Sequence, residues 1–128
     1  KKIRRYCLEI LKSRLEPAGD DSNLIGLGGT FTTLAAIKLE LEPYRGEIVH
    51  GTVLSAAEIE KILRRLSALP SSRRGEITGL PPDRTDIIVP GILIGQALLE
   101  FFQTDRLTVS DRGLLYGLLF SSYFSEEK

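Results

Sequence analysis

The chain has 128 residues, of which 42% are hydrophobic and 27% are charged, so it can fold around one core of ordinary size. Its 17 Lys and Arg residues balance its 17 Asp and Glu residues, which argues against nucleic acid or a membrane surface as a partner. A single cysteine excludes an internal disulfide, and no apolar run is long enough for a membrane span or a signal peptide, so we expect a cytoplasmic protein.

The two ends of the sequence suggest that it is part of something larger. The chain begins with Lys1, contains no methionine and enters a helical pattern at once. We therefore treat residues 1–128 as one domain fragment and expect a longer parent protein.

Hydrophobic spacing in the first third of the chain predicts a strand between two helices. Apolar residues recur at helical intervals before Pro17 and again after Thr30, with a short apolar run between the two patterns. The predicted elements are a helix at 3–15, a polar loop at 18–22, a strand at 23–27 and a helix at 30–39.

The remaining two thirds predict mainly helices. Ser55 and Glu58 have the spacing of a capping box, and Pro90 with Gly91 predicts a kink in a long helix. The predicted elements are a loop or weak extended segment at 47–54, helices at 56–69, 71–78, 83–102 and 111–120, a strand at 107–110 and a frayed tail at 121–128. We expect Ser110 and Asp111 to cap the last helix.

The strongest chemical pattern is the Gly-Leu-Gly-Gly-Thr run at 26–30, between a predicted strand and a predicted helix. Glycines at such a turn let the backbone approach an oxyanion closely, and the helix dipole favours the same anion. Thr30 can cap the helix or donate its hydroxyl to a phosphate oxygen. The alternative is a tight turn that needs glycine for its backbone angles alone.

Read in order, the sequence resembles the later part of the second domain of the exopolyphosphatase and guanosine-pentaphosphate phosphohydrolase (Ppx/GppA) family. The resemblance runs from the first predicted helix to Phe120. The residues that carry it are the run at 26–30 with Leu34, His50-Gly51 with Leu54, Gly79-Leu80, the Arg-Thr-Asp-Ile-Ile run at 84–88 with Pro90-Gly91, and Val109-Ser110 with Gly113-Leu114 and Gly117.

The resemblance implies an α/β fold: part of a ribonuclease-H-like domain of the actin, sugar kinase and heat-shock chaperone ATPase type, with many helices and few strands. Part of its sheet would be encoded upstream, so we expect an uncovered apolar edge or face and self-association as a possible homo-oligomer.

The resemblance also implies that the parent protein is a hydrolase. Family members hydrolyse the terminal phosphoanhydride of polyphosphate or pppGpp with Mg²⁺ or another divalent cation, an attacking water and a glutamate base in the first domain. On this basis we expect the fragment to have no catalytic residue and no metal ligand of its own, and to be inactive alone. It would contact polyphosphate or a guanosine nucleotide only together with the missing N-terminal region of the same protein.

Carried over by position, Gly28, Gly29 and Thr30 would contact the nucleotide or the distal phosphates. Arg84 could pair with a carboxylate or face the cleft, and Asp86 would favour the positive end of a helix. His50 could titrate near neutral pH, but a lone histidine more often has a structural role.

The chain departs from the family pattern at the last motif, between Gly113 and Gly117. Members usually carry an arginine and an acidic residue between its two glycines, where this chain has Leu115 and Tyr116. This difference leaves open a non-catalytic, nucleotide-sensing or regulatory module of the same fold. A helical interaction domain with a fortuitous glycine turn is a third possibility.

Overall fold

The protein is described by a computed structural model that covers residues 2–19 and 23–124. The α-helices are α1 (Lys2–Arg14), α2 (Gly29–Lys38), α3 (Gly46–Val49), α4 (Ala56–Ser67), α5 (Ile88–Phe101) and α6 (Leu114–Phe124), and the strands are β1 (Ile25–Leu27), β2 (Val53–Ser55) and β3 (Arg106–Ser110). Two short 3₁₀ helices lie at Ser71–Glu76 and Pro82–Arg84.

The three strands form one sheet in the order β1-β3-β2. β1 runs parallel to β3, with Leu27 opposite Ser110, and β2 runs antiparallel to β3. The central strand is therefore the last one in sequence, and the carboxyl ends of β1 and β3 lie side by side.

One face of this sheet carries the hydrophobic core. Leu54, Leu107 and Val109 point to this face and are almost completely buried against α2 and α4. α5 packs on α2 and α4, and α1 packs on the outside of α5. α5 is apolar around most of its circumference, as expected of a helix with neighbours on several sides.

The other face of the sheet is uncovered among the described residues. Ile25, Leu27 and Val53 alternate with the buried positions and are exposed. β1 is also an edge strand, because β3 pairs with it on one side and no described strand lies on the other. The structure therefore has the uncovered apolar face that the resemblance led us to expect.

α4 has the start that its sequence predicts. Ser55 Oγ accepts from the Glu58 amide at 3.1 Å, and the Glu58 carboxylate accepts from the Ser55 amide at 2.9 Å. The apolar stripe of the helix is buried through Ile59, Ile62 and Leu66. This reciprocal pair satisfies two amides that a helix start leaves without partners.

Two parts of the predicted secondary structure need correction. The weak extended segment at 47–54 divides into α3 and the third strand, β2. The long helix predicted at 83–102 is a 3₁₀ turn followed by α5, which begins only at Ile88. Pro90 thus lies in the first turn, where a missing amide breaks no helical hydrogen bond, and the kink we expected does not form there.

The chain ends also differ in part from expectation. α6 begins at Leu114, so Ser110 and Asp111 lie before it and do not cap it. The helix continues through residues 121–124, where we expected a frayed tail, and residues 125–128 of that tail lie outside the described residues, as do 20–22 of the predicted polar loop. No helix in the described ranges has both the length and the hydropathy needed to cross a bilayer.

Candidate functional site

The candidate site lies at the carboxyl ends of the two parallel strands. β1 is followed by Gly28 and Gly29, and β3 is followed by Asp111. In open α/β sheets, ligands bind at this end of parallel strands, because the connecting loops and helix starts meet there.

The turn between β1 and α2 leaves an open helix start. Gly28 is the N-cap residue, with a φ of 94°, in a region that favours glycine, and the space around its Cα is empty. Thr32 donates its amide to the Gly28 carbonyl at 3.1 Å. The amides of residues 29–31 lie before this first helical hydrogen bond, so the helix itself offers them no acceptor. No described side chain caps them, and the first turn has no acidic residue.

Arg84 lies directly beside this helix start. A Cβ added at Gly29 would be 1.8 Å from the Arg84 Nη1 atom, so the guanidinium occupies the space that a side chain would need. Within residues 2–19 and 23–124, no carboxylate pairs with this half-buried guanidinium. Arg84 therefore lies against the glycine turn, and whether it faces a cleft stays a prediction.

Thr30 is not a capping residue, because α2 starts one residue earlier, at Gly29. Its side chain instead contacts α5. A Cβ added at Gly91 would be 2.4 Å from Thr30 Oγ1. The hydroxyl of Thr30 therefore lies at the contact between two helices, whereas Gly28 is exposed.

A hydrogen-bond network links the end of β3 to the glycine turn. Tyr44 donates its hydroxyl to Asp111 Oδ1 and also interacts with Thr32, whose hydroxyl donates to the carbonyls of Gly28 and Gly29 at 3.1 and 3.3 Å. Burial, followed by the hydrogen bond and the negative charge of Asp111, raises the pKa of Tyr44 from 10.0 to about 12. Tyr44 therefore stays protonated as a donor at neutral pH.

His50 belongs to the same end of the sheet in a structural role. The Asp111 amide donates to His50 Nδ1 at 3.2 Å, and Ser110 Oγ lies 3.4 Å from the same nitrogen. Because Nδ1 accepts, the neutral ring carries its proton on Nε2. This half-buried histidine thus holds the residues that follow β3.

Asp86 does not take part in the site. It is exposed, it lies two residues before α5, and no side chain caps that helix. The structure brings together Gly28, Gly29 and Arg84, with Thr30 and His50 as supporting neighbours, and leaves Asp86 apart.

Sequence reasoning missed Tyr44 and the role of Asp111. Their contact joins residues 67 positions apart, and neither residue belongs to a periodic pattern or a motif. The nearest indication was the position of Asp111 directly after a predicted strand, which places it at the ligand-binding end of a parallel sheet.

Comparison with known proteins decides the family. A sequence model of the Ppx/GppA phosphatase family matches residues 2–126. The chain belongs to the Ppx/GppA phosphatase family. The resemblance stated from the glycine run and the later motifs is thereby confirmed.

Solved structures show the same fold. A Ppx/GppA family member from Aquifex aeolicus superposes with a TM-score of 0.90 at 34% identity, over 99% of this chain and 41% of that one. An exopolyphosphatase from Cytophaga hutchinsonii superposes with a TM-score of 0.70 at 25% identity, over 94% of this chain and 40% of that one. The fold is therefore that of Ppx/GppA proteins, the actin-like type, with many helices and a small sheet.

Curated relatives carry related names. Exopolyphosphatase 2 of Mycobacterium tuberculosis is 29% identical over 122 residues, which are 88% of this chain and 38% of that protein. A bifunctional 3-dehydroquinate synthase/phosphatase of Fusobacterium nucleatum is 33% identical over 97 residues, which are 76% of this chain and 14% of that protein. The chain thus spans less than half the length of these Ppx/GppA relatives.

The divalent cation that the family resemblance implies finds no ligand set within the described parts of this chain. Over residues 2–19 and 23–124, no three His, Cys, Asp or Glu side chains group as they would to hold a metal ion. At the glycine turn the nearby carboxylate, Asp111, already accepts from Tyr44. The groups present at the glycine turn, backbone amides and a guanidinium, are hydrogen-bond donors of the kind that an anion accepts.

Proposed function

We propose that this chain forms one wall of a phosphate-binding cleft in a phosphatase that hydrolyses terminal phosphoanhydrides of inorganic polyphosphate or pppGpp. Membership of the Ppx/GppA phosphatase family and the similarity to exopolyphosphatases support an enzyme of this class. Since the chain spans 38–41% of such relatives, the remaining parts of the cleft would come from the rest of a longer protein.

The observation that carries the proposal is the closeness of two groups: a helix start that no described side chain caps, and a guanidinium that pairs with no described carboxylate. The amides of residues 29–31 point out of the start of α2, and the Arg84 guanidinium lies against Gly29. Amide groups and a guanidinium fork both donate to phosphate oxygens, and the helix dipole adds to the attraction. Gly28 is exposed, so an oxyanion can approach.

These groups would bind and orient a phosphate chain, and they would stabilise negative charge that develops on it. Hydrolysis further requires a base to activate water and a divalent cation such as Mg²⁺. We place both outside this chain, in agreement with the resemblance, which puts the glutamate base in another domain. The isolated chain should therefore bind polyphosphate without releasing phosphate.

The direct test is a titration of the isotopically labelled chain with tripolyphosphate at constant ionic strength. We expect the amide resonances of Gly28, Gly29 and Thr30 to shift with saturation, while those of α4, which contains none of these residues, stay fixed. Titration with sodium chloride to the same ionic strength is the control, because general screening would move all exposed charged regions.

Two results would count against the proposal. If the resonances of these amides do not shift at millimolar tripolyphosphate, the glycine run is only a turn. The interpretation of the chain as a helical interaction domain then gains support. If the isolated chain releases phosphate in a metal-dependent reaction, the catalytic groups have been assigned to the wrong part of the protein.

A second candidate function, nucleotide sensing without hydrolysis, is favoured by one observation. Leu115 and Tyr116 replace the usual arginine and acidic residue, and they are 79% and 46% exposed, so these two positions bring no charge to a substrate. A sensor would bind pppGpp in the longer protein without turnover. Metal-dependent release of phosphate from pppGpp or polyphosphate by that longer protein would exclude it.

A further inference from the structure

Arg74 is a half-buried cation that lies outside the glycine turn, in the 3₁₀ helix Ser71–Glu76. Its guanidinium donates to two main-chain carbonyls. Nε donates to the Leu66 carbonyl at 3.1 Å, and Nη1 donates to the Thr85 carbonyl at 3.0 Å. No carboxylate within residues 2–19 and 23–124 pairs with this side chain, so its contacts are those of a link between main-chain segments.

The first of these two bonds has a common structural purpose. Leu66 lies in the last turn of α4, and the residue four positions later is Pro70, which has no amide to donate. The Leu69 amide reaches the Leu66 carbonyl at 3.2 Å, and Arg74 supplies a second donor. Basic side chains often donate to the last carbonyls of a helix, where the dipole is negative. This bond alone would make Arg74 a structural residue of α4.

The second bond is different, because it reaches the segment that carries Arg84. Thr85 follows Arg84 directly and is 11 positions away from Arg74 in sequence. The Thr85 hydroxyl donates to the Pro82 carbonyl at 3.2 Å, a local bond that closes the 3₁₀ turn. That local bond shapes the turn but does not attach it to the rest of the fold. The guanidinium of Arg74 attaches it to the end of α4.

We infer that Arg74 is a positioning residue, which holds Arg84 against Gly29 by fixing the carbonyl of Thr85. The Arg84 guanidinium lies where a side chain at Gly29 would begin, so a small shift of the 3₁₀ turn would move the charge away from the start of α2. Arg74 acts through Arg84, because its own guanidinium is engaged with the two carbonyls. The effect on phosphate binding rests on the proposed function, whereas the placement of Arg84 can be measured without an anion.

The first measurement concerns this placement. In the isotopically labelled chain we expect a nuclear Overhauser effect between the Arg84 side chain and the α protons of Gly29, because the two groups are in contact. Arg74→Ala should weaken this signal strongly. The matched control is Arg73→Ala, which removes the same charge from the neighbouring residue. Arg73 is exposed and pairs with Glu76 at 2.9 Å, so its loss should leave the signal unchanged.

The second measurement is the affinity for tripolyphosphate by titration calorimetry. Arg74→Ala should weaken binding by roughly threefold to tenfold, but should add nothing in an Arg84→Ala background, because the two residues act through one contact. Arg73→Ala should change the affinity by less than about twofold, as expected for an exposed charge. Arg74→Lys keeps the charge but donates from a single nitrogen, so its effect on both measurements should be smaller than that of Arg74→Ala. It keeps the test open if Arg74→Ala does not fold.

Three results would overturn the inference. They are an unchanged signal between Arg84 and Gly29 in both folded Arg74 variants, a further loss of affinity when Arg74→Ala is added to Arg84→Ala, and an equal loss of affinity in Arg73→Ala. The second result would show that Arg74 acts on the anion by itself, and the third that any nearby charge does. If the wild type does not bind tripolyphosphate, the proposed function fails, while the signal between Arg84 and Gly29 still decides the role of Arg74.

Discussion

Arg84 and Gly29 are in direct contact, with the guanidinium lying where a side chain at residue 29 would begin. A Cβ there would be 1.8 Å from Nη1 and 2.4 Å from Cζ of the arginine. Glycine at this position thus does more than form a turn. It lets a positive charge lie against the start of α2, beside amides that already favour an anion.

The first prediction concerns the charge. We expect Arg84→Ala to weaken tripolyphosphate binding by about tenfold, since hydrogen bonds to charged groups contribute about 1.5–3 kcal/mol and partial exposure reduces this. Arg84→Lys should recover only part of the affinity, because an ammonium lacks the planar fork. Titration calorimetry measures both. Arg65→Ala, which removes an exposed arginine from α4, is the control, and an equal loss in that variant would point to non-specific attraction.

The second prediction concerns the glycine. Gly29→Ala should cost little stability, because the group it displaces is the mobile end of a long side chain, but it should weaken tripolyphosphate binding about as much as Arg84→Ala does. The double variant should then bind no more weakly than either single variant, as expected for two residues that act through one contact. Additive losses in this cycle would show that the two residues contribute separately. Thermal unfolding monitors the fold in parallel.

The start of α4 gives a prediction about stability alone. Ser55→Ala should lower the free energy of unfolding by about 1 kcal/mol, because it removes the oxygen that accepts from the Glu58 amide. Glu58→Ala removes the reciprocal bond and an ion pair with Lys38, and the double variant should lose less than the sum of the two. Urea unfolding measures all three. Ser67→Ala, at the exposed end of the same helix, should change the free energy by less than about 0.5 kcal/mol.

Much of this fold could be predicted from local patterns. The capping box marked the start of α4 to the residue, and the run at 26–30 correctly indicated a strand, a glycine turn and a helix. These patterns act within a few residues of each other, so a single sequence contains them. The family resemblance came from motifs spread over the chain.

The errors arose where distant contacts decide the structure. β2 has only three residues and no clear alternation, and it exists because it pairs with β3, which lies some fifty residues later. Helical spacing continues through the residues before α5, but these residues are Pro81 and a 3₁₀ turn that starts at Pro82. Helix α5 therefore begins later than the spacing predicts. The contact of Tyr44 with Asp111 likewise has no local pattern that could predict it.

The core of the sheet gives the fourth prediction. Leu54 and Val53 are neighbours on β2 that face opposite sides, and they are 0% and 44% exposed. Leu54→Ala should lower the free energy of unfolding by about 2–5 kcal/mol, because it leaves a cavity in the core. Val53→Ala should cost less than about 1 kcal/mol. Similar losses at the two positions, measured by urea unfolding, would mean that the open face of the sheet is covered in solution.

The last prediction concerns the pH at which Tyr44 ionises. Its phenol is partly buried and donates to the Asp111 carboxylate, and both effects favour the neutral form, so its pKa in the folded protein is about 12 against an ordinary value of 10.0. A raised pKa means that the contribution of Tyr44 to stability is complete below pH 10 and is lost as the pH rises toward 12. Absorbance titration of the phenolate, taken as the difference between the wild type and Tyr44→Phe, should show one step centred near pH 12 in the folded protein. Asp111→Asn removes the charge while keeping a hydrogen-bond acceptor, so it should move this step toward, but not fully to, the ordinary value. A difference step near pH 10 in the wild type would show that the phenol does not bond to Asp111, and would remove the link between β3 and the glycine turn.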